Sequence, residues 1–183
     1  MNLWLRLLGV LIGSLFRPRL GMFDESVLRG RVWLTDLDLN VHMNNARYLA
    51  VMDLGRFDMF VRSGMLRAFI RKRIQPLMGA TMVRYRRALR PFEAFTLHSR
   101  FVGWDERRAY VEHWIEVDGE VACHAVMWAA FRRAGARVAP AELAREMGVT
   151  LPSPPLPDWV QSWRDLDVTV GEAKTDELAN AAE

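Results

Sequence analysis

The stretch Asp36-Leu-Asp38-Leu-Asn-Val-His42-Met-Asn44-Asn45-Ala-Arg-Tyr48 organises the rest of the chain around it. It runs into the longest predicted helix, over residues 45–63, where apolar residues recur at spacings of three and four. Asn44 is suited to cap the start of this helix, and Ser63-Gly64 is suited to end it. Two carboxylates, a histidine and two amides are therefore expected to crowd one helix N-terminus.

This arrangement has a chemical and a structural interpretation. The first-turn N–H groups of a helix have no intrahelical partners, so they can hold a carboxylate or the oxyanion that develops at an attacked carbonyl. A carboxylate beside them can act as a nucleophile or as a general base for water. The same residues also fit an Asn-capped helix that follows an Asp-rich turn, and the pattern alone leaves both interpretations open.

Outward from this stretch, the pattern predicts a mostly antiparallel sheet. A short β-like run precedes it, and a short helix near 65–72 follows the long one. Asp118-Gly119 is typical of a two-residue hairpin, whereas Arg90-Pro91 indicates a longer turn. Strands are predicted at 29–34, 79–89, 94–102, 109–117 and 121–131. The order predicts an α+β domain in which one long helix is wrapped by a curved, antiparallel, five-stranded sheet.

The two ends differ in character from this domain, which we place at residues 24–163. Residues 1–23 contain no acidic residue, and their uncharged run at 7–16 is too short to span a bilayer. Three interpretations of the N-terminal segment stay open: a membrane-surface anchor, a helix packed on the domain or a dimer partner, and an uncleaved signal anchor. Residues 164–183 carry six acidic and two basic residues and are predicted to be disordered. A further helix is predicted from Pro140.

Composition excludes several classes of protein. A single cysteine, Cys123, excludes an intrachain disulfide framework and a multi-cysteine zinc site, which favours a reducing, cytoplasmic location. No nucleophile elbow, Gly-rich phosphate loop or dinucleotide fingerprint occurs. His113 and His124 could face each other across a hairpin, but we expect no metal site. Arginine supplies nearly all of the positive charge, which indicates an anionic ligand or simply a GC-rich genome. No nucleic-acid-binding module accompanies this charge.

The Asp-x-Asp and His-x-Asn-Asn motifs resemble the signature of hotdog-fold acyl-CoA thioesterases of the 4-hydroxybenzoyl-CoA thioesterase type. Within that family, the chain is most similar to the group of thioesterase superfamily member six. Three further stretches carry this resemblance, which covers about residues 26–163. They are 84–90 (Arg-Tyr-Arg-Arg-Ala-Leu-Arg), 91–93 (Pro-Phe-Glu) and 103–106 (Gly-Trp-Asp-Glu).

The resemblance implies roles for individual residues. Asp38 falls at the position of the catalytic carboxylate, and Asn45 at the helix start where a backbone N–H polarises the thioester carbonyl. His42 and Asn44 would shape the loop and cap the helix, while Tyr48 would line the acyl pocket. Asp53 is a second-choice candidate for the catalytic carboxylate. Candidate ligands for the phosphates of coenzyme A are Arg84, Arg86 and Arg87.

The resemblance also implies a function. It predicts hydrolysis of an acyl-CoA thioester, with no cofactor other than the coenzyme A carried by the substrate. It further implies a homodimer or tetramer with sites at subunit interfaces, and here we expect sheets joined edge to edge. One departure is Val41, since many active relatives have glycine there and valine resists the backbone turn that glycine permits. Val41 and the acid-free N-terminus favour an alternative, a catalytically silent, membrane-associated hotdog dimer that binds an acyl ligand or a protein partner. In that case residues 1–20 would contact the membrane surface.

Overall fold

The computed structural model describes the backbone of residues 3–180 and the side chains of residues 3–171. Its helices are α1 (Leu3–Leu15), α2 (Asn45–Arg62), α3 (Met65–Lys72), α4 (Pro140–Glu146) and α5 (Asp158–Asn180). Its strands are β1 (Ser26–Arg31), β2 (Ile74–Tyr85), β3 (Ala94–Trp104), β4 (Ala109–Val117), β5 (Glu120–Arg133) and β6 (Ala136–Val138). A 3₁₀ turn at Leu34–Asp36 follows β1.

The strands form one antiparallel sheet in the order β1-β3-β4-β5-β2, with the short β6 paired to β5. The long helix α2 packs on the concave face of this sheet, which confirms the α+β hotdog architecture. Gly55 permits the close approach, because a Cβ at that position would lie 2.2 Å from Ser99 Oγ of β3. Two clusters of buried apolar side chains fill the space between the helices and the sheet.

Local signals placed several boundaries correctly. Helix α2 starts and ends within one residue of its prediction, with Asn44 as its cap and Ser63-Gly64 as its end. Asp118 and Gly119 both have positive φ, as the predicted two-residue hairpin requires. β5 lies between β4 and β2, and seven of its 14 residues are buried, on both faces of the sheet, as its apolar run indicated.

Strand β2 lies five residues earlier at its start than predicted. Its first residues pair with the C-terminal part of β5, as in the Ile74↔Arg133 pair. Residues 86–89 leave the sheet: both Arg86 N and Arg87 N donate to Ala122 O, and Leu89 N donates to the hydroxyl of Tyr48. β1 likewise ends earlier than predicted, because the carboxylate of Asp36 closes the 3₁₀ turn by accepting Trp33 N at 2.9 Å.

Residues 164–180, which we predicted to be a disordered acidic tail, lie in α5, which extends through Asn180. Asp167 anchors this helix to the convex face of the sheet by accepting hydrogen bonds from Arg108 (2.9 Å) and from Trp128 Nε1 (3.0 Å). Val160 is buried on the same face, and the Trp163 ring packs edge-on against Tyr110. Residues 181–183 of the predicted tail lie outside the described residues.

Helix α1 packs lengthwise on α2, with Leu3, Leu7 and Val10 against the core. Arg6 pairs with the buried carboxylate of Asp36, which ties α1 to the 3₁₀ turn. The opposite face of α1 is apolar and exposed. Within residues 3–180, no helix has both the length and the apolar character that crossing a bilayer requires.

His113 and His124 point to opposite faces of the sheet, so the expectation that they could face each other is wrong. His113 is buried on the concave face, 2.7 Å from Ser99 Oγ, whereas His124 lies on the convex face beside Glu112. Their strands pair His113 with Ala125 rather than with His124, and one residue of register reverses the face. Burial, together with the nearby charge of Arg56, lowers the pKa of His113 to about 3.

This pKa shift predicts a loss of stability in mild acid. His113 stays neutral in the folded chain, whereas in the unfolded chain it binds a proton below about pH 6.5. The free energy of unfolding should therefore fall as the pH drops from about 6.5 towards 3, by up to about 1.4 kcal/mol per pH unit from this group. Urea unfolding at pH 7.5, 6.0 and 5.0 measures this effect. The free energy of unfolding should fall less steeply with decreasing pH for His113→Gln than for wild type. Equal pH slopes for the two proteins would contradict this prediction.

Candidate active site

The candidate site is a tight loop between the 3₁₀ turn and α2. Its ends are fastened by backbone hydrogen bonds from Asn44 N to Asp36 O (2.8 Å) and from Asp38 N to His42 O (3.0 Å). Leu37 and Met43 form an isolated antiparallel bridge inside this closure. The loop therefore holds residues 38–42 at the N-terminus of α2, as the motif predicted.

The two aspartates of Asp-x-Asp have different surroundings. Asp36 is buried, and its Oδ2 accepts from Trp33 N and pairs with Arg6, so it holds the fold together. The side chain of Asp38 is 22% exposed, and its Oδ1 accepts from Asn40 N at 2.9 Å. Only Asp38 can reach a bound ligand or water.

His42 lies beside the carboxylate of Asp38. Its Nδ1 is 3.4 Å from Asp38 Oδ1, within ion-pair distance but without the geometry of a hydrogen bond. The structure thus brings together these two residues of the predicted set.

The start of α2 supplies N–H donors. Asn44 caps the helix, with its Oδ1 accepting from Ala46 N at 2.9 Å. Within the described part of the chain, the backbone N–H of Asn45 forms no hydrogen bond, and its carbonyl accepts from the Tyr85 hydroxyl at 3.1 Å. An unbonded N–H at a helix N-terminus is suited to bind a developing oxyanion.

Val41 takes the backbone turn that we expected valine to resist. Its φ is +60°, in the left-handed region, and its side chain is exposed at the tip of the loop. For a β-branched residue this conformation is strained by roughly 1–2 kcal/mol. The loop therefore closes in spite of the valine, with strain stored next to Asp38 and His42.

Replacing Val41 by glycine should relieve this strain. We expect Val41→Gly to raise the free energy of unfolding by about 0.5–1 kcal/mol, the relief of strain less the greater chain entropy of glycine. Val27→Gly is the matched control: Val27 is an exposed valine in extended β1, and its replacement should destabilise the chain by a similar amount. Urea denaturation measures both, and a destabilised Val41→Gly would contradict the assignment of strain.

Tyr48, for which the resemblance implies a place in the acyl pocket, points into the core of the chain. It is 2% exposed, and its hydroxyl accepts from Leu89 N at 3.1 Å and faces Arg87 O at 3.4 Å. Burial raises the pKa of this phenol. Tyr48 therefore supports the segment 87–89 from behind, because its place on the inner face of α2 points it into the core.

Asp53 lies about two turns after the start of α2 at Asn45. Its side chain is 47% exposed and pairs with Arg56, one turn on in the same helix. Among the described residues, neither Asp53 nor Arg56 forms a hydrogen bond or ion pair with the loop at 38–42. Asp53 therefore remains a surface acid of the helix, and Asp38 is the better placed carboxylate.

The three candidate arginines lie in two different places. Arg87 lines a cleft of about 440 Å³ beside the loop, together with Asn40, His42 and Arg90. Arg87 also pairs with Glu93 at 2.6 Å. Arg84 and Arg86 line a separate cleft of about 390 Å³ with Trp114 and Arg100.

The buried carboxylate of Glu112 lies in this second cleft and was not singled out from the sequence. It accepts from His124 Nε2 at 2.7 Å and from Arg100 Nε at 2.8 Å. Burial alone would raise the pKa of Glu112, but these two hydrogen bonds outweigh it and lower the pKa. The acid lies in β4, whose sequence gave no signal of these partners.

An apolar cavity of about 340 Å³ lies beyond Asp53, between α2, α3 and the strands β2 and β5. Phe57, Phe60 and Phe69 line it, and Arg56 is its charged lining residue.

Cys123 is elsewhere in the core, where burial raises the pKa of its thiol to about 12. The thiol is therefore unreactive, as expected of a small buried side chain.

Comparisons with known proteins show which proteins this chain is similar to. Residues 32–164 match the family model of the thioesterase-like superfamily. Protein THEM6 of Danio rerio is 43% identical over 95 residues, which cover 52% of this chain and 47% of that protein. The chain thus matches about half the length of this curated relative.

Solved structures show the same fold. The probable thioesterase YbaW from Escherichia coli superposes with a TM-score of 0.63 at 20% identity, over 68% of this chain and 96% of that one. Slr0204, a 1,4-dihydroxy-2-naphthoyl-CoA thioesterase from Synechocystis, gives a TM-score of 0.60 at 7% identity, over 70% and 98%. At these identities the likeness concerns the fold alone.

Proposed function

Because this chain belongs to the thioesterase-like superfamily, we propose that it hydrolyses an acyl-CoA thioester at the loop preceding α2. The observation that carries this proposal is the partly exposed carboxylate of Asp38 at the N-terminus of α2, where the N–H of Asn45 is unbonded among the described residues. The reaction needs no cofactor beyond the coenzyme A that forms part of the substrate.

The proposed chemistry uses Asp38 in one of two ways. As a general base, its carboxylate takes a proton from water while the water oxygen bonds to the thioester carbonyl carbon. The C–S bond then breaks, and coenzyme A leaves as a thiol after receiving that proton. As a nucleophile, Asp38 would instead form an acyl anhydride that water hydrolyses in a second step. Single turnover in ¹⁸O-water distinguishes the two, because only the nucleophilic route leaves label in Asp38.

The neighbouring residues would position these groups. The N–H of Asn45 would donate to the carbonyl oxygen as it gains charge, aided by the positive end of the α2 dipole. His42, whose Nδ1 lies 3.4 Å from Asp38 Oδ1, would help to hold that carboxylate, and Asn44 would fix the first turn of the helix. Of the predicted phosphate ligands, Arg87 lies in the adjoining cleft, which also holds Arg90, whereas Arg84 and Arg86 do not.

Release of free thiol from a panel of short, long and aromatic acyl-CoA thioesters tests the proposal. We expect turnover of at least one thioester, with kcat/KM ranking the acyl groups. Binding of the same thioesters without turnover would instead support the silent alternative.

We also propose that two chains join through the edge of β2. This strand has β5 on one side and no neighbour on the other within the described sheet. Leu77, Met78, Met82 and Tyr85 are each 37–42% exposed along it. An apolar, unpaired edge strand is a template for pairing with another chain.

Charge on this edge should separate the subunits. We expect sedimentation velocity to give twice the chain mass of 21.1 kDa for wild type, and a dimer at least about tenfold weaker for Met82→Glu. Leu151→Glu, an equally drastic change at an exposed leucine outside the sheet, should leave the dimer intact. A wild-type monomer, or a Met82→Glu dimer of unchanged affinity, would contradict the proposed interface.

A second candidate function, a silent dimer at a membrane surface, is favoured by the outer face of α1. Trp4, Leu8, Ile12, Leu15 and Phe16 are 50–85% exposed there. The segment also carries Arg17 and Arg19 and no acid among residues 3–23. An apolar helix face flanked by basic residues is typical of helices that lie in a lipid interface.

Vesicle co-sedimentation tests this contact. Ile12→Asp alters only the outer face of α1, whereas deleting the segment would also remove core contacts and the Arg6–Asp36 pair. We expect wild type to sediment with vesicles containing phosphatidylglycerol and Ile12→Asp to stay in solution. Equal sedimentation of both proteins would count against a membrane role for this face.

A further inference from the structure

A groove of about 390 Å³ separates α1 from the edge strand β1. It lies apart from the loop at residues 38–42. Its apolar walls come from four elements: Leu5 and Val10 of α1, Leu28 of β1, Val51 and Leu54 of α2, and Leu97 of β3. The volume falls within the range of small-molecule sites.

Positive charge surrounds this apolar groove. Arg6, Arg17, Arg29 and Arg31 line it, and no acidic residue among the described side chains does. Arg6 and Arg17 are paired with the buried carboxylates of Asp36 and Asp58.

Neither of the two arginines of β1 pairs with a carboxylate among the described side chains. Arg31 donates to the carbonyl of Phe92 at 2.6 Å. Arg29 is exposed and forms no hydrogen bond or ion pair within the described part of the chain. An apolar slot with unpaired guanidinium groups at its rim complements an alkyl chain that ends in a phosphate.

The groove is continuous with the exposed face of α1. Leu5 belongs to both, since it lines the groove and is itself 61% exposed. Trp33 lines the groove at the end near the 3₁₀ turn and is partly exposed. Tryptophan at an apolar–polar boundary is typical of membrane interfaces.

We propose that this groove binds one acyl chain of an anionic phospholipid, with the lipid phosphate at Arg29 and Arg31. The proposal rests on the proposed membrane contact of α1 for the source of the lipid, but not on thioesterase activity. Binding of a monomeric lipid can therefore succeed or fail independently of vesicle adhesion and of turnover.

Two glycines of α1 provide a matched pair of variants. Gly9 lines the groove, and a Cβ placed on it would meet nothing within 4 Å. Gly13 has the same open surroundings and does not line the groove. Phenylalanine at either position raises the apolar character of α1 and its helix propensity alike, but only Gly9→Phe fills the groove.

Isothermal titration with lysophosphatidylglycerol below its critical micelle concentration is the test, with lysophosphatidylcholine of the same acyl chain as the uncharged-headgroup comparison. We expect one lysophosphatidylglycerol per chain, bound more tightly than lysophosphatidylcholine. Gly9→Phe should weaken this binding by at least about tenfold, and Gly13→Phe should leave it unchanged.

A second variant tests the charge without filling the groove. Arg29→Ala should reduce the preference for phosphatidylglycerol by about fivefold, whereas Arg137→Ala, an exposed arginine of β6, should not. Equal affinity for the two lipids, or unaltered binding by Gly9→Phe, would overturn the proposal. So would an oligomer that dissociates in Gly9→Phe, since the groove would then be an interface between two copies of the chain.

Discussion

Asp38→Asn is expected to lower kcat/KM for acyl-CoA hydrolysis by roughly 10²–10⁴ while leaving the fold intact. The asparagine keeps the shape of the carboxylate and can still accept from Asn40 N, so the loop should close as before. It cannot take a proton from water or attack a carbonyl, because it lacks the negative charge. Steady-state release of free thiol from the best acyl-CoA substrate measures the effect.

Asp53→Asn is the matched control for this loss. It removes the other candidate carboxylate from the same region of the chain and should retain near wild-type activity, because Asp53 is a surface partner of Arg56. Urea unfolding should give Asp38→Asn a stability within about 0.5 kcal/mol of wild type. A folded Asp38→Asn variant that works at the wild-type rate would remove Asp38 from the mechanism, and a loss in Asp53→Asn instead would transfer the role to that residue.

Asp36→Ala is expected to lower the free energy of unfolding by about 3–5 kcal/mol. Asp36 is buried, and its carboxylate both closes the 3₁₀ turn and pairs with Arg6, whose side chain is 8% exposed. Removing it leaves a nearly buried guanidinium without a counter-charge and the Trp33 N–H without an acceptor. Urea denaturation followed by tryptophan fluorescence measures the loss.

The contrast with Asp165→Ala identifies the cause. That substitution also removes an aspartate paired with an arginine, but Arg164 and Asp165 are 33% and 68% exposed, so the pair should be worth less than about 1 kcal/mol. Equal losses for the two variants would show that burial of Asp36 does not stabilise the junction between α1 and the candidate site. If the double variant Asp36→Ala, Arg6→Met recovers the free energy of unfolding lost in Asp36→Ala, the unpaired charge of Arg6 is responsible for the loss.

Local chemistry made much of this fold predictable. The cap at Asn44, the stop at Ser63-Gly64 and the hairpin at Asp118-Gly119 depend on residues close in sequence, and all three are present in the structure. The α+β architecture and the position of Asp38 beside His42 followed from the order of elements and from one motif.

The features that sequence did not predict depend on contacts between distant elements. The helical tail is stabilised by Asp167 reaching Arg108 and Trp128 across the sheet. The inward direction of Tyr48 is set by how α2 packs on the sheet, which no local pattern reveals. Arg87 lies apart from Arg84 and Arg86 because the chain leaves the sheet after Tyr85. The predicted strand continued to residue 89.

We propose above all that this chain hydrolyses acyl-CoA at Asp38. The most direct test is the initial rate of thiol release from one thioester that binds the protein, measured side by side for wild type and Asp38→Asn at equal, verified folding. We predict turnover by wild type and a rate at least about a hundredfold lower in the variant. No release by wild type above the spontaneous rate, with binding of the thioester intact, would contradict the claim and favour the silent, membrane-associated dimer.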